Sequence, residues 1–313
     1  MQVSVTFLTN PMVQDSLRVD KKLGQGKFQV FQVYSASRRA NYALKVFPTS
    51  RTGTALFLKE QHLDKLNHPN IIKQVPVKCH HNDFHAQLTE LAKFGDFFEV
   101  VENSMLSNMD ILIRTYFHQL IEATQHMHTQ GVAHLDLKLE NLMLGTDFQL
   151  KVIDFDQSQL LNDQTATSRG TKGYRAPELI KGACSNLTAA DIYSIGVILY
   201  TLKSEEFPFL EQEEGANGAD DLDSIFHFNN DNENFWKNKA ENKDDNEFFS
   251  DDFIELVNGL LENDAEKRWT IEDIKASKWY NGKILDDKDL KSEMRPRWNH
   301  VNKLKEQKNQ ISY

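Results

Sequence analysis

The segment His134-Leu135-Asp136-Leu137-Lys138-Leu139-Glu140-Asn141 places three reactive side chains close together in the chain. Asp136, Lys138 and Asn141 follow one another at intervals of two and three residues, and Asp154 comes thirteen residues after Asn141. Phosphoryl transfer needs these groups: a carboxylate to orient a hydroxyl, an ammonium to offset phosphate charge, and amide and carboxylate oxygens to hold magnesium. The spacing therefore predicts a phosphoryl-transfer site.

These motifs, with others upstream and downstream, resemble those of eukaryotic protein kinases over roughly residues 17–281. The resemblance is to the Ser/Thr type, closest in style to calcium/calmodulin-dependent-like kinases. It implies an α+β, bilobal protein kinase fold with a small β-rich N-terminal lobe (about 17–91) and a larger helical C-terminal lobe (about 92–281). Residues 1–16 would be an N-terminal extension and residues 282–313 a polar, basic C-terminal tail.

The hydrophobic pattern agrees with this order of elements. Apolar and polar residues alternate over 28–34 and 42–47, which predicts strands. Helical spacing is found over residues 54–67, 109–130, 188–202, 251–262 and 270–279. The segment 188–202 is apolar nearly all round, which is typical of a buried helix.

Composition is that of a globular protein, with 40% hydrophobic and 26% charged residues. No apolar run approaches the ~20 residues of a membrane span, and the N-terminus has no signal-peptide pattern. Cys79 and Cys184 form no disulfide framework or metal-ligand spacing. We therefore expect a cytoplasmic protein, with the nucleus left open.

The acidic charge is concentrated between Ser204 and Asp252, where 16 Asp and Glu residues accompany three Lys and Arg residues. This block argues against nucleic-acid binding. It fits either a solvated loop or a docking surface for a basic partner.

The tail after about Asp287 is polar and mildly basic. Two interpretations remain open. The tail is either disordered or loosely docked, or it is a basic amphipathic helix for an inhibitory contact or a calmodulin-like regulatory partner.

The stretch Leu23–Gln29 resembles the kinase glycine-rich loop, in which Gly24, Gln25 and Gly26 would contact ATP phosphates. Gln29 stands where the family's third glycine is usual. Phe31 fits the adenine-covering position by its distance from Lys45, although Val33-Tyr34-Ser35-Ala36 fits the family wording better.

Ala43-Leu44-Lys45 resembles the strand whose lysine contacts the phosphates of ATP. A lysine that faces inward needs an anionic partner. Glu60 is the candidate, although the family spacing counted back from Leu63 lands on Lys59.

The stretch Leu88–Ala92 looks like the hinge between the lobes. The resemblance implies that Thr89 is a small gatekeeper and that backbone groups of Glu90 and Ala92 bind the adenine edge, with Ala43 also in the nucleotide pocket. Asp96 falls where the family places an acid near the ribose.

The resemblance also implies catalytic roles. Asp136 would act as base or orient the acceptor hydroxyl, Lys138 would neutralise the transferring phosphoryl group, and Asn141 and Asp154 would hold two Mg²⁺ ions. Thr171 would bridge Asp136 and Lys138. The lysine at this offset favours Ser and Thr acceptors in protein substrates.

Structural partners are implied as well. Glu178 would pair with Arg268 and tie the activation segment to the large lobe, and Asp191 would brace the catalytic loop. Asp96 and Glu140 match acidic positions that select basic residues before the phosphoacceptor, and Thr201 stands where a third acid can occur.

Two departures affect regulation. Leu135 replaces the arginine that usually pairs with a phosphorylated loop, so Thr167, at the usual phosphosite, is not expected to be a strong switch. Asp156 replaces the glycine of the magnesium-binding motif. With Gln29, they leave an alternative open: a pseudokinase that acts as a nucleotide-binding scaffold.

Overall fold

The computed structural model describes residues 2–7, 14–24, 27–79, 83–163, 170–182, 184–209, 225, 228–241, 243 and 248–311. Strands dominate the first third and helices the rest, which confirms the α+β, bilobal architecture. The strands are β1 Gln2–Phe7, β2 Gln14–Gly24, β3 Gln29–Ser35, β4 Ala40–Pro48, β5 Val77–Cys79, β6 Phe84–Glu90, β7 Phe94–Asp96, β8 Val132–Ala133, β9 Leu142–Leu144, β10 Leu150–Val152 and β11 Gln159–Leu160. The helices are α1 Arg51–Glu60, α2 Phe97–Glu102, α3 Asp110–Thr129, α4 Pro177–Ile180, α5 Leu187–Ser204, α6 Asn232–Ala240, α7 Asp251–Leu260, α8 Ile271–Ala276 and α9 Asp287–Ile311.

The small lobe is built on a six-stranded antiparallel sheet in the order β5-β1-β2-β3-β4-β6. Leu17, Val33, Leu44 and Leu88 come from four neighbouring strands and form its buried core. Because side chains alternate across a strand, the opposite face of β3 and β4 is turned toward the large lobe.

The N-terminal extension contributes the additional strand β1. It pairs with β2 from Gln2↔Arg18 to Thr6↔Gln14 and with β5 from Val5↔Cys79 to Phe7↔Val77. Residues 2–7 alternate polar and apolar side chains, which is the pattern of a half-buried strand, and sequence analysis did not use it.

The helix of the small lobe, α1, is shorter than the spacing over 54–67 predicts. Its N-cap Ser50 accepts a hydrogen bond from the Gly53 backbone N–H. The α-helix ends at Glu60, and residues Gln61–Lys65 continue as a tighter 3₁₀ turn. This ending places Glu60 in the last α-helical turn, facing the sheet.

The large lobe is organised around α5, where every residue from Ala189 to Ser204 is buried. Its all-round apolar pattern correctly predicted this position. Helices α3 and α7 pack against it. Predicted helices 109–130 and 251–262 correspond to α3 and α7, and 270–279 is shortened to α8 because Ser277 turns to an extended backbone. Across the described residues no helix is long and apolar enough to cross a membrane.

The interpretation of the C-terminal tail as disordered or loosely docked is wrong for the residues described, which form a helix packed on the large lobe. Helix α9 runs for 25 residues and contains Pro296. Leu290, Met294 and Val301 are buried on one stripe of this helix. Burial of that stripe in the core of the large lobe holds the helix in place.

A buried ion pair fixes the end of the activation segment. The Arg268 side chain is fully buried and its two terminal nitrogens donate to Glu178 at 2.6 and 3.0 Å. The same guanidinium also donates to the backbone oxygens of Glu262 and Ala189. The predicted contact between Glu178 and Arg268 is therefore present.

Arg268→Met is expected to lower the free energy of unfolding by about 3–5 kcal/mol, because it leaves the largely buried Glu178 carboxylate without its cationic partner. Equilibrium denaturation measures the change. Lys267→Met is the matched control: its pair with Asp264 is exposed, so a loss of at most ~1 kcal/mol is expected. Equal losses in the two variants would contradict this assignment.

Candidate active site

A cavity of about 450 Å³ lies between the lobes. It is lined from the small lobe by β2, β3, β4 and the end of α1, and from the large lobe by residues around β9 and Asp154. The lining residues include Leu23, Gly24, Val30, Ala43, Lys45, Glu60, Thr89, Glu90, Ala92, Asp96, Glu99, Met143, Ile153 and Asp154. Most of the residues that sequence analysis assigned to a nucleotide therefore surround one space.

An ion cluster closes the inner end of this cavity. The Lys45 ammonium contacts the Glu60 carboxylate and lies 2.6 Å from Asp154 Oδ1. Glu60 also accepts the Phe155 backbone N–H at 3.2 Å. The structure thus brings Glu60, not Lys59, to Lys45 and joins both to the segment that carries Asp154.

The electrostatics of this cluster keep the Lys45–Asp154 pair ionic. Burial acts to lower the pKa of Lys45, but the Glu60 and Asp154 carboxylates outweigh it and raise that pKa overall. Burial likewise acts to raise the pKa of Asp154, and Lys45 outweighs it, so the pKa lies below its ordinary value. Burial raises the pKa of Glu60, and Lys45 opposes the rise. Lysine and aspartate are therefore both charged near neutral pH.

A buried glutamine that sequence analysis missed supports Glu60. Gln87 Nε2 donates to the Glu60 carbonyl at 3.3 Å and to Gln74 Oε1 at 2.9 Å. Its place on β6, opposite Lys45 in the β4–β6 register, is the only signal that could have identified it. The bonds anchor the C-terminal end of α1 to the sheet.

The catalytic loop forms a second cluster. Thr171 Oγ1 donates to Asp136 Oδ1 at 2.7 Å and accepts from Lys138 Nζ at 2.7 Å. Lys138 Nζ also lies 3.3 Å from Asp136 Oδ2. Asn141 Nδ2 donates to the Asp136 carbonyl at 2.8 Å and to Asp136 Oδ2 at 3.2 Å. Of the four side chains that sequence analysis selected here, Lys138, Thr171 and Asn141 each contact Asp136.

Asp191 holds this loop from the buried helix α5. Its carboxylate accepts the backbone N–H groups of His134 at 2.9 Å and Leu135 at 2.7 Å, and it contacts His128 Nε2 at 2.9 Å. Leu135 has a positive φ of 62°, an unfavourable conformation for a branched residue. The two hydrogen bonds to Asp191 maintain the turn that presents Asp136.

The hinge follows the expected geometry. Ala43, Thr89, Glu90 and Ala92 all line the cavity. The Glu90 backbone N–H donates to the Lys73 carbonyl at 2.9 Å, so an adenine contact at Glu90 falls to its carbonyl oxygen. The Glu90 side chain pairs with Lys151 at 2.7 Å and is not needed for this backbone contact.

Asp96 has a structural task at the outer end of the cavity. Its carboxylate caps α2 by accepting the Glu99 backbone N–H at 2.9 Å. Burial raises the pKa of Asp96. The carboxylate that caps α2 also lines the cavity and is a candidate to bind the ribose hydroxyls.

The assignment of Phe31 is wrong. Its side chain packs with the core of the small lobe, on the same face of β3 as Val33. The residue that lines the cavity is Val30, which pairs with Lys45 in the β3–β4 register. Distance along the sequence could not fix the face, because one residue of slip exchanges the two sides of a strand. Gly24 lines the cavity, whereas Gln25 and Gly26 lie outside the described residues.

The two unusual residues are both buried. Leu135 packs in the core of the large lobe, where a guanidinium would be costly. Asp156 accepts Gln157 Nε2 at 2.9 Å, and burial together with the neighbouring Asp154 raises its pKa. Neither residue removes a contact among Asp136, Lys138, Asn141 and Asp154.

The oxygen donors at this site suit a hard cation. In the described part of the chain, no cluster of three or more His, Cys, Asp or Glu side chains forms a metal cage. Magnesium, however, is usually held by one or two carboxylates together with substrate phosphates. Asp154 lines the cavity and supplies such a carboxylate. Asn141 lies beside Asp136, outside the described cavity lining, and its amide oxygen would be the second donor.

Comparison with known proteins agrees with the geometry. Rice CBL-interacting protein kinase 26 is 32% identical over 293 residues, which is 90% of this chain and 55% of the relative. The Arabidopsis thaliana CBL-interacting serine/threonine-protein kinase 24 is 30% identical over 84% of this chain and 56% of its own length. Schizosaccharomyces pombe serine/threonine-protein kinase cds1 is 26% identical over 83% of this chain and 57% of its own length.

This chain therefore spans little more than half the length of these curated relatives. Residues 17–280 match the protein kinase domain family, nearly the range that the sequence motifs indicated. The cleft, the ion cluster at Lys45 and the loop at Asp136 all lie within the matched residues. The chain belongs to the protein kinase domain family.

Proposed function

We propose that this chain is an active Mg²⁺-dependent Ser/Thr protein kinase that transfers the γ-phosphate of ATP to protein hydroxyl groups. The observation that carries the proposal is the presence of two preassembled clusters: Lys45 with Asp154 at the cavity, and Asp136 with Lys138 and Thr171 on the catalytic loop. Transfer of this kind depends on positioning and preorganised charge, which such clusters supply.

Each residue has a definite task in this proposal. Lys45 contacts the α- and β-phosphates, and Glu60 holds its ammonium in place. Asp136 orients the acceptor hydroxyl and receives its proton as the acceptor oxygen bonds to phosphorus and the bond to the ADP oxygen breaks. Lys138 offsets charge on the transferred group. Magnesium held by Asn141 and Asp154 would neutralise phosphate charge.

The pseudokinase alternative has less support. A scaffold requires none of the contacts among Asp136, Lys138, Asn141 and Thr171. The position of Glu60, which family spacing left uncertain, favours an active arrangement because its carboxylate contacts Lys45. Fold alone does not settle activity, so the experiment must address the site.

Labelled γ-phosphate transfer from MgATP to basic Ser/Thr peptides tests the proposal. Asp136→Asn is expected to lower the turnover number at least ~10²-fold, because it removes general-base and orienting functions. Asp154→Ala is expected to lose transfer as well. Both variants should retain the wild-type fold by circular dichroism. Absence of transfer by the wild type, with nucleotide still raising its melting temperature, would favour the scaffold.

We propose further that activity does not require phosphorylation of the activation segment. The arginine that would pair with a phosphate is replaced by the buried Leu135, and the segment's end is already anchored by Glu178 and Arg268. Thr167 lies outside the described residues.

Phosphatase-treated protein is expected to keep its turnover number within about twofold of untreated protein, because no phosphate–arginine pair is lost at Leu135. Phosphate content is checked by intact-mass measurement. Thr167→Ala should likewise keep its turnover number within about twofold of the wild type. Thr171→Ala is the positive control, because it removes the contacts to Asp136 and Lys138 and should lower the turnover number. A tenfold or larger loss on dephosphorylation would show that the loop is a switch.

Protein substrates with a basic residue upstream of the acceptor form the last part of the proposal. Asp96 lies at the cleft and Glu140 is exposed beside the catalytic loop. Thr201 does not extend this acidic surface, because it is buried and donates to the Val197 carbonyl within α5. A cytoplasmic location remains part of the proposal.

A peptide with Arg three residues before the acceptor serine is expected to have a kcat/KM about 3- to 10-fold above its Ala counterpart, since two solvent-accessible carboxylates give a modest pairing energy. Glu140→Gln should reduce this ratio and leave the KM for ATP unchanged. A library with no upstream preference would refute the substrate assignment.

A further inference from the structure

Helix α9 lies beyond the matched family residues and still contacts the wall of the cleft. Its buried stripe contains Leu290, Met294 and Val301, each at most 4% exposed. Trp298 and Lys305 continue the same stripe at intervals of three and four residues, which places them on one helix face. Both contact residues that line the outer end of the cavity.

Trp298 packs directly on β7. Its ring meets that of Phe94 edge-on at 5.6 Å, and Phe94 stacks on Phe148 at 4.2 Å. Gly95 has a positive φ of 48°, and a Cβ there would lie 2.9 Å from Trp298 Cη2. A glycine is required for both reasons. Because Gly95 itself lines the cavity, the indole supports the cavity wall from behind.

Lys305 holds the next segment of the same wall. Its ammonium lies 2.5 Å from Glu99 Oε1. Glu99 lines the cavity and stands in the first turn of α2, where its backbone N–H is capped by Asp96. Helix α9 therefore contacts the wall on both sides of Asp96, through Gly95 and through Glu99.

The helix supports the cavity without filling it. Among the described residues that line the cavity, none belongs to α9. Further contacts fix the helix in register: Arg297 donates to the Met105 carbonyl at 3.1 Å, and Lys291 pairs with Asp147 at 2.5 Å. These contacts favour a supporting role over one in which the helix blocks the site.

We infer that Trp298 and Lys305 are positioning residues of the nucleotide site. They hold β7 and the first turn of α2 so that Asp96 meets the ribose hydroxyls of ATP. The inference rests on the proposed function in one respect, that the cleft binds ATP, and it does not require that phosphate be transferred.

The test is titration of the full chain with a non-hydrolysable ATP analogue and its 2′,3′-dideoxy form, in the presence of Mg²⁺. Trp298→Ala is expected to weaken analogue binding about 3- to 30-fold. In the wild type we expect tighter binding of the analogue that carries the ribose hydroxyls than of its dideoxy form. In Trp298→Ala the ratio of these two affinities should fall toward one, and in Trp298→Phe the ratio should return to the wild-type value. A variant that was merely less stable would lose active fraction without changing this preference.

Charge reversal gives a second, independent measurement on an exposed side chain. Lys305→Glu sets two carboxylates against each other and is expected to weaken binding about 3-fold or more. Lys303→Glu is the matched control, because Lys303 is exposed on the same helix and should bind as the wild type does. In the transfer assay, Lys305→Glu should raise the KM for ATP with little change in kcat.

Unchanged affinity and unchanged ribose preference in folded Trp298→Ala would overturn the inference. Should that variant fail to fold, equal analogue affinities for Lys305→Glu and Lys303→Glu would overturn it. Loss of transfer in the wild type with normal analogue binding would count against the proposed function alone, since titration does not depend on transfer.

Discussion

The partly buried ion cluster of Lys45, Glu60 and Asp154 is the interaction on which the arrangement of the two lobes depends. Lys45 comes from β4, Glu60 from α1 and Asp154 from the large lobe, so a single ammonium joins three separate segments. An unpaired charge at this depth would cost several kcal/mol. The cluster therefore favours an arrangement in which β4, α1 and the segment that carries Asp154 are in contact over arrangements in which one of them is separated.

A second constraint acts from the centre of the large lobe. The Asp191 carboxylate, fully buried in α5, accepts two backbone N–H groups of the catalytic loop. Charged acceptors form stronger hydrogen bonds than neutral ones, and this offsets the strain of a positive φ at Leu135. The reactive loop is thus fixed by the most buried helix of the lobe. The same packing accounts for the tolerance of leucine at a position where arginine is usual.

Helix α9 adds a further support from outside the residues that match the family. Its apolar stripe meets the large lobe, and its Trp298 and Lys305 support the outer cavity wall. The structure thus has an inner wall held by an ion cluster and an outer wall held by a helix that follows the domain in sequence. Both supports act on backbone segments adjacent to the residues that would touch a nucleotide.

The sequence by itself determined the lobes, the buried helix α5 and the candidate site residues Asp136, Lys138, Asn141 and Asp154. These depend on local spacing and on periodicity, which are properties of the chain alone. Only the tertiary structure decided that Glu60 and not Lys59 meets Lys45, that Val30 and not Phe31 faces the cavity, and that the polar tail is a docked helix. Each of these depends on register or packing between distant segments. A shift of one residue exchanges the faces of a strand or turns a helix by about 100°, and local sequence preferences change little with such a shift.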